Sequence, residues 1–417
     1  MTELQPRLSL NPRSRGFRWV TGALAVVILA QAFRSLEFEL TFAPAGQWDF
    51  ESYYYALHAY RNGADPYDPD SLKSLAQHAV FPFAYPHHTL AFFALFDRGE
   101  IQASKALFLL AKFAVLTALL LLWTFRFIPR GTRGWFLVFV ALGLNAAAPR
   151  DLTAGNVSLF EILPIWMGVA ALTAGYPVLF CAGVILGAQF KLQPLLLLGL
   201  LWFTDVPRRA AYFFVSLAVV VLIGAGVYLH DPVAASAYAQ SSTRIAGGEA
   251  GLSNPSLLKL LTQGAVIVME PYDVFEGVER RAVGRAVYPV VALAIILLTL
   301  RTLPASRRDP RWIHLGVVTY ALVAPRMKDY SWVIVLPSAF ELARFALRRP
   351  ATLIPAAVLA FIFLAAPMRD AMWTYRPYVL TFLIWTATVL APVPVESEGE
   401  PATYESETDV RGSPAAP

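Results

Sequence analysis

The 417-residue chain is 57% hydrophobic and only 15% charged, with a mean hydropathy of +0.53, and its repeated apolar runs of near-spanning length place it among polytopic membrane proteins. The net charge of +5 gathers in short loops between those runs, where basic residues orient helices, so nothing favours a nucleic-acid surface. A lone cysteine, Cys181, excludes an intramolecular disulfide and reads as a packing residue.

Arg7, Arg13, Arg15 and Arg18 stand before an apolar run from Val20 to Phe33. No small-x-small cleavage site follows, so this is expected to be a signal anchor, with residues 1–17 cytoplasmic and a first span over 17–36. Residues 37–82 then fall outside, and their charge agrees: Arg61 and Lys73 against seven acids. Within this loop Tyr53, Ala56, Leu57 and Tyr60 have the spacing of an amphipathic helix lying on the membrane surface, stopped by Asn62-Gly63. A second short helix is predicted from Asp70 to Ala79. Phe83 to Phe96, opened by Pro82, Pro86, His87 and His88, is read as a second span entered from a polar cavity.

Further apolar runs fall at 105–125, 135–148, 157–174, 177–203, 210–229, 286–303, 312–324, 331–347, 351–366 and 374–391, which gives about twelve spans in one transmembrane domain over 18–391. On this count Arg208-Arg209, Arg301 to Arg311 and Arg344 to Arg349 are inside, and Asp231 to Asn254 is outside. Arg126, Arg130 and Arg133 land outside, against the orientation rule, which points to a re-entrant or half-span between Phe81 and Gly155. Ser256 to Met269 is expected to lie at the outer surface or re-enter. The tail 392–417, rich in Pro, Glu, Ser and Thr, is expected to be disordered in the cytoplasm. Neither a solenoid period nor an inverted repeat is evident.

The wettest block, Trp48 to Tyr67, is where chemistry is sought first, because uncompensated carboxylates are costly in a bilayer. Asp49 is either a general base taking a proton from an attacking hydroxyl or simply the N-cap of the following helix. Asp65-Pro66-Tyr67 reads as an Asx-type turn, with a binding role for Asp65 the lesser reading, and Asp68-x-Asp70 lacks the further ligands a metal would need. Tyr85, His87 and His88 bring hydrogen-bonding groups to a span entrance, but adjacent histidines do not make a helical zinc pair. Arg150 and Asp151 are read as neutralising one another. Lys191, inside a long apolar stretch, demands a partner or an anionic ligand. Arg326 and Lys328 lie outside by this count, where they either bind a departing lipid phosphate or pair with Asp329.

Asp49, the tyrosine-rich helix, Gly63-x-Asp65-Pro66-Tyr67, Phe83-x-Tyr85-Pro86, Gly155-Asn156, Lys191-x-x-Pro194, Asn254-Pro-Ser256-Leu257 and Pro325-Arg326 together resemble glycosyltransferase family 87, over roughly residues 18 to 390. The resemblance implies an all-α polytopic membrane protein of the GT-C superfamily, with juxtamembrane helices in its first outer loop. It implies a polyprenyl-phosphate-linked sugar donor, mannose among the sugars, a lipid or glycan acceptor, and inversion at the anomeric carbon. Asp49 takes the place of the catalytic aspartate, with Tyr53, Asp65, Tyr67, Tyr85, His87, His88, Arg150, Asn156, Lys191, Asn254, Arg326 and Lys328 as candidate substrate contacts and no metal or other cofactor. Where family members often carry Trp and His after the late proline, this chain has Lys328-Asp329-Tyr330, so phosphate-side chemistry falls to Arg326 and Lys328. The expected place is the plasma membrane, with both termini cytoplasmic. A secondary transporter and an inactive scaffold of envelope assembly are the alternatives.

Overall fold

Inside a bilayer a chain can satisfy its backbone N–H and C=O groups only within helices or a closed barrel, and every regular element among the described residues is helical. The computed structural model describes residues 37, 46–248, 254–269, 280–303, 309, 311–347 and 375–390. The expected N-terminal basic segment, the first span, the span at 351–366 and the C-terminal tail lie outside these residues.

Helices α1 (Trp48–Arg61) and α2 (Pro69–Ala76) form the first loop and lead into a run of short helical turns over His87–Phe96. Then follow α3 (Ile101–Arg126), α4 (Arg133–Ala154), α5 (Ser158–Thr173), α6 (Pro177–Ala188), a 3-10 stretch Gln193–Phe203, α7 (Arg209–His230) and α8 (Pro232–Gly248). The remainder is α9 (Leu257–Met269), α10 (Arg280–Thr302), α11 (Arg311–Val323), a 3-10 segment Asp329–Val335 running into α12 (Leu336–Leu347), and α13 (Arg376–Val389). Among the described residues four helices, α3, α4, α7 and α10, are long and apolar enough to cross a membrane; the expected twelve spans are not shown.

Two expected spans are corrected. The run His87–Phe96 would extend about 15 Å as helix, half of a hydrocarbon core of about 30 Å, and its Phe92 packs edge-on against Phe160 at 5.1 Å and Phe190 at 5.2 Å. It is a half-span in length, packed on protein along one face while Leu95 stays 64% exposed. The run at 177–203 breaks between α6 and the 3-10 stretch, where Lys191 turns toward Glu161 and Pro194 has no N–H to continue an α-helix.

Contacts between helix ends sort the loops. Arg126 donates to Thr173 Oγ1 at 3.1 Å, Phe127 lies 6.3 Å from the His314 ring, and Arg311 stacks on Phe345 at 4.6 Å. The loop holding Arg126, Arg130 and Arg133 therefore shares one end of the bundle with Arg311 and α12. The half-span explains this, since it returns the chain to its starting side before α3 begins. At the opposite end Gln47 N donates to Thr153 O at 2.6 Å.

The apolar face of helix α1 packs on protein. Phe50 stacks on Phe108 at 4.5 Å and Tyr53 on Phe93 at 4.2 Å, so rings from the half-span and α3 cover its apolar face in place of lipid. Gly63, at φ 74°, ends the helix in the left-handed conformation that glycine adopts without a steric penalty. Helix α2 is capped by Asp68, whose carboxylate accepts Ser71 N at 3.0 Å.

Helix α4 is interrupted at Gly143, after which Leu144, Asn145 and Ala146 all have positive φ, a conformation non-glycine residues hold only when their surroundings impose it. Its last two turns carry Pro149, Arg150 and Asp151 and end at Gly155, φ 68°. A Cβ at Gly155 would lie 2.7 Å from Gln47 Cα. That close approach delivers the start of α1 to Asn156.

Candidate active site

Gln47 itself is left-handed, and α1 begins at Trp48 with no side-chain cap. Asp49 is thus in the first turn, and its carboxylate turns away from the helix N-terminus: Asn156 Nδ2 donates to Asp49 Oδ2 at 2.6 Å. The N-cap reading of Asp49 is set aside by this geometry. Asn156 is 1% exposed, and its amide orientation is fixed because Oδ1 accepts from Ser158 N at 3.0 Å and Ser158 Oγ at 2.6 Å. The nitrogen must then face Asp49 together with the hydroxyls of Tyr53 (3.1 Å), Tyr85 (3.1 Å) and Tyr330 (3.0 Å). Tyr330 also bonds Asp49.

Electrostatics around this carboxylate are opposed. Burial raises the Asp49 pKa above its ordinary value, while the Asn156 and Tyr330 hydrogen bonds and the charges of Lys328 and Lys112 act to lower it. Burial also raises the Tyr53 and Tyr330 hydroxyls well above the usual tyrosine range, so both remain protonated donors.

A second polar group lies beside the first. Lys191 Nζ is 3.1 Å from Glu161 Oε2, 3.2 Å from Ser158 Oγ and 6.0 Å from the Tyr85 ring centre, and Arg326 is near enough for its charge to act on Lys191. Asp49, Lys191, Arg326 and Lys328 consequently occupy one end of the bundle. The partner demanded by Lys191 is Glu161.

Other expected contacts have structural partners. Arg150 and Asp151 do not neutralise one another: Arg150 Nε pairs with Asp329 at 2.8 Å, and Asp151 with Lys112 at 2.6 Å, because adjacent residues on a helix face different neighbours. Asp65 is exposed and accepts Tyr67 N at 2.9 Å, the Asx turn itself. Tyr67 is 1% exposed and donates to Tyr85 O at 2.9 Å, so it holds Tyr85 in place. His87 stacks beneath Tyr60 at 6.3 Å, and the charge of Asp231 reaches it there; His88 is half-buried near Gln189. Asn254 Oδ1 accepts Met327 N at 2.7 Å, and Ser256 Oγ donates to Pro325 O at 2.9 Å, so the Asn254-Pro-Ser256 motif shapes the loop that carries Arg326 and Lys328.

Lys112, Ser158, Glu161 and Tyr330 were not singled out from sequence. Lys112 carried a signal, since a lone lysine in an apolar run raises the same question as Lys191. Ser158 and Tyr330 carried none, because their place depends on helix pairing.

The stretch 83–325, more than half of the chain, matches the family described as Glycosyltransferase family 87. The chain belongs to this family. It is therefore a multi-pass membrane glycosyltransferase, which binds a sugar donor and an acceptor. Asp49 precedes the matched stretch, whereas Tyr85, Asn156, Lys191 and Asn254 lie within it. No curated protein and no solved structure matches the chain.

Proposed function

We propose that this glycosyltransferase moves a hexose, with mannose the leading candidate, from a polyprenyl-phosphate donor to a lipid or glycan acceptor, and that Asp49 is the general base of an inverting transfer. The observation that carries the reading is the Asp49 carboxylate, only partly exposed and held by Asn156 and Tyr330 at the same end of the bundle as Lys191, Arg326 and Lys328. In the reaction, Asp49 removes the acceptor hydroxyl proton as that oxygen bonds to the anomeric carbon. The bond from that carbon to the phosphate oxygen breaks, and polyprenyl phosphate leaves toward the cations. A raised pKa makes Asp49 a stronger base than an ordinary aspartate, provided the pH keeps it ionised.

The orientation rule supports an outward-facing site. Arg126, Arg130, Arg133, Arg208, Arg209, Arg301, Arg311 and Arg344 flank the helix ends remote from Asp49, and on the orientation rule we read that end as cytoplasmic and Asp49 as facing outward at the plasma membrane. The discriminating experiment offers purified full-length protein a panel of polyprenyl-phosphate sugars and nucleotide sugars, with whole-membrane lipid as acceptor. Release of polyprenyl phosphate with a β- or α-linkage inverted from the donor supports the reading. Turnover of nucleotide sugars alone contradicts it.

A further inference from the structure

Beneath the Asp49 cluster is a polar layer that the proposed reaction does not use. Lys112 on α3 and Asp151 on α4 both have side chains with no exposure at all. The Lys112 ammonium donates to Asp151 O at 2.5 Å and Asn156 O at 2.7 Å and lies 2.6 Å from Asp151 Oδ1. Three oxygens surround the ammonium, the carboxylate as an ion pair. Two are backbone carbonyls at either end of the turn 151–156, through which the chain leaves α4 at left-handed Gly155. Asp151 O already accepts Gly155 N at 3.2 Å, and a hydroxyl or a water could satisfy the Asn156 carbonyl without the desolvation cost of a buried ion pair. The residue whose carbonyl Lys112 grips is the one whose side-chain amide donates to Asp49.

We propose that Lys112, fixed by Asp151, is a positioning residue that locks the turn 151–156 and so aims the Asn156 amide at Asp49, while placing a buried positive charge behind that carboxylate. The ionisable groups that face Asp49 come from every neighbouring element: Tyr53 on α1, Tyr85 before the half-span, Lys112 on α3, Asp151 on α4, and Lys328, Asp329 and Tyr330 after α11. Of the two cations among them, Lys112 has no solvent exposure and its charge is the less screened. The effect on rate rests on the general-base reading of Asp49; the geometric lock needs no substrate.

The test therefore has a substrate-free arm. In infrared difference titration of the purified full chain, the protonated carboxyl band that vanishes in Asp49→Asn reports this residue. Its midpoint is expected to move to higher pH in Lys112→Met, because a hydrogen-bonded and cation-backed carboxylate loses both supports. Lys112→Met leaves Asp151 buried and unpaired, so the double variant Lys112→Met with Asp151→Leu is measured beside it; it keeps the net charge while removing the lock and the buried ion pair together. A smaller upward move is expected there, and a folded, inserted double variant with the parent midpoint overturns the proposal. The second arm uses polyprenyl-phosphate mannose as probe donor and whole-membrane lipid as acceptor. The double variant should lose about a hundredfold in kcat, the scale of a misplaced catalytic group, with KM changed less than about twofold. If the parent transfers nothing from this probe while the infrared midpoint moves, the donor reading fails and the positioning role stands. If the parent turns over and the double variant matches its kcat, the positioning role fails.

Discussion

At the basic end of the bundle, Arg344 pairs with Glu341 on the same helical turn and Arg311 with Asp309 two residues away, and these arginines stay about a quarter exposed. At the other end, Lys112 meets Asp151 with neither side chain exposed, while Lys191 and Arg150 reach Glu161 and Asp329 on other elements. Pairs made within one turn fix no second element and mark which side of the membrane a loop occupies. Buried pairs between elements cost desolvation and must be matched in geometry, so they fix the relative placement of the segments they join. The charge that organises chemistry here is the charge drawn inward.

Breaking pairs at each end sharpens that contrast. Glu161→Leu leaves Lys191 without its carboxylate and should lower stability by about 3 kcal/mol, seen as a reduced midpoint in detergent thermal unfolding. Asn156→Leu removes the amide from Asp49 and should reduce kcat about a hundredfold while the protein remains inserted. Tyr330→Phe deletes one donor to Asp49; a loss of about tenfold in kcat/KM is expected, the scale of one hydrogen bond to a charged group. In the same variant the acid limb of the pH profile moves to higher pH, because the ionised carboxylate has lost a donor that lowers its pKa. Arg344→Ala at the basic end leaves the buried Glu341 carboxylate unpaired and should lower stability by about 3 kcal/mol, yet leave transfer per folded molecule at the parent rate. A comparable loss of transfer in Arg344→Ala would erase the distinction between the two ends.

Much of this site was legible in the residues, and the reasons for the rest are physical. Asp49, Tyr53, Tyr85 and Asn156 stood out as polar or aromatic groups interrupting apolar sequence, and the fold brings all four together. Asp65 and Tyr67 also stood out, but their partners are two residues away and at Tyr85 O, so their polarity serves a turn and a support. Tyr330 gave no signal, since only the loop held by Asn254 and Ser256 brings its hydroxyl to Asn156. The helical class followed from hydropathy, whereas the count of spans did not. Hydropathy does not distinguish a run that crosses lipid from one such as His87–Phe96, half the needed length and with Phe92 packed on Phe160 and Phe190. The brevity of the run and the misplaced arginines at 126, 130 and 133 were the signs of that half-span.

The central claim is that Asp49, alone among the acids of the first loop, takes the acceptor proton. It is tested most directly by measuring transfer from the donor the parent accepts, in Asp49→Asn and Asp65→Asn side by side, with membrane insertion confirmed for both. The account predicts a loss of about 10²- to 10⁴-fold in kcat for Asp49→Asn, the range of general-base catalysis, and near-parent transfer for Asp65→Asn. It also predicts that parent activity falls, as pH is lowered, through a midpoint above the ordinary aspartate value of 3.8. Parent-rate transfer by an inserted Asp49→Asn variant would contradict it.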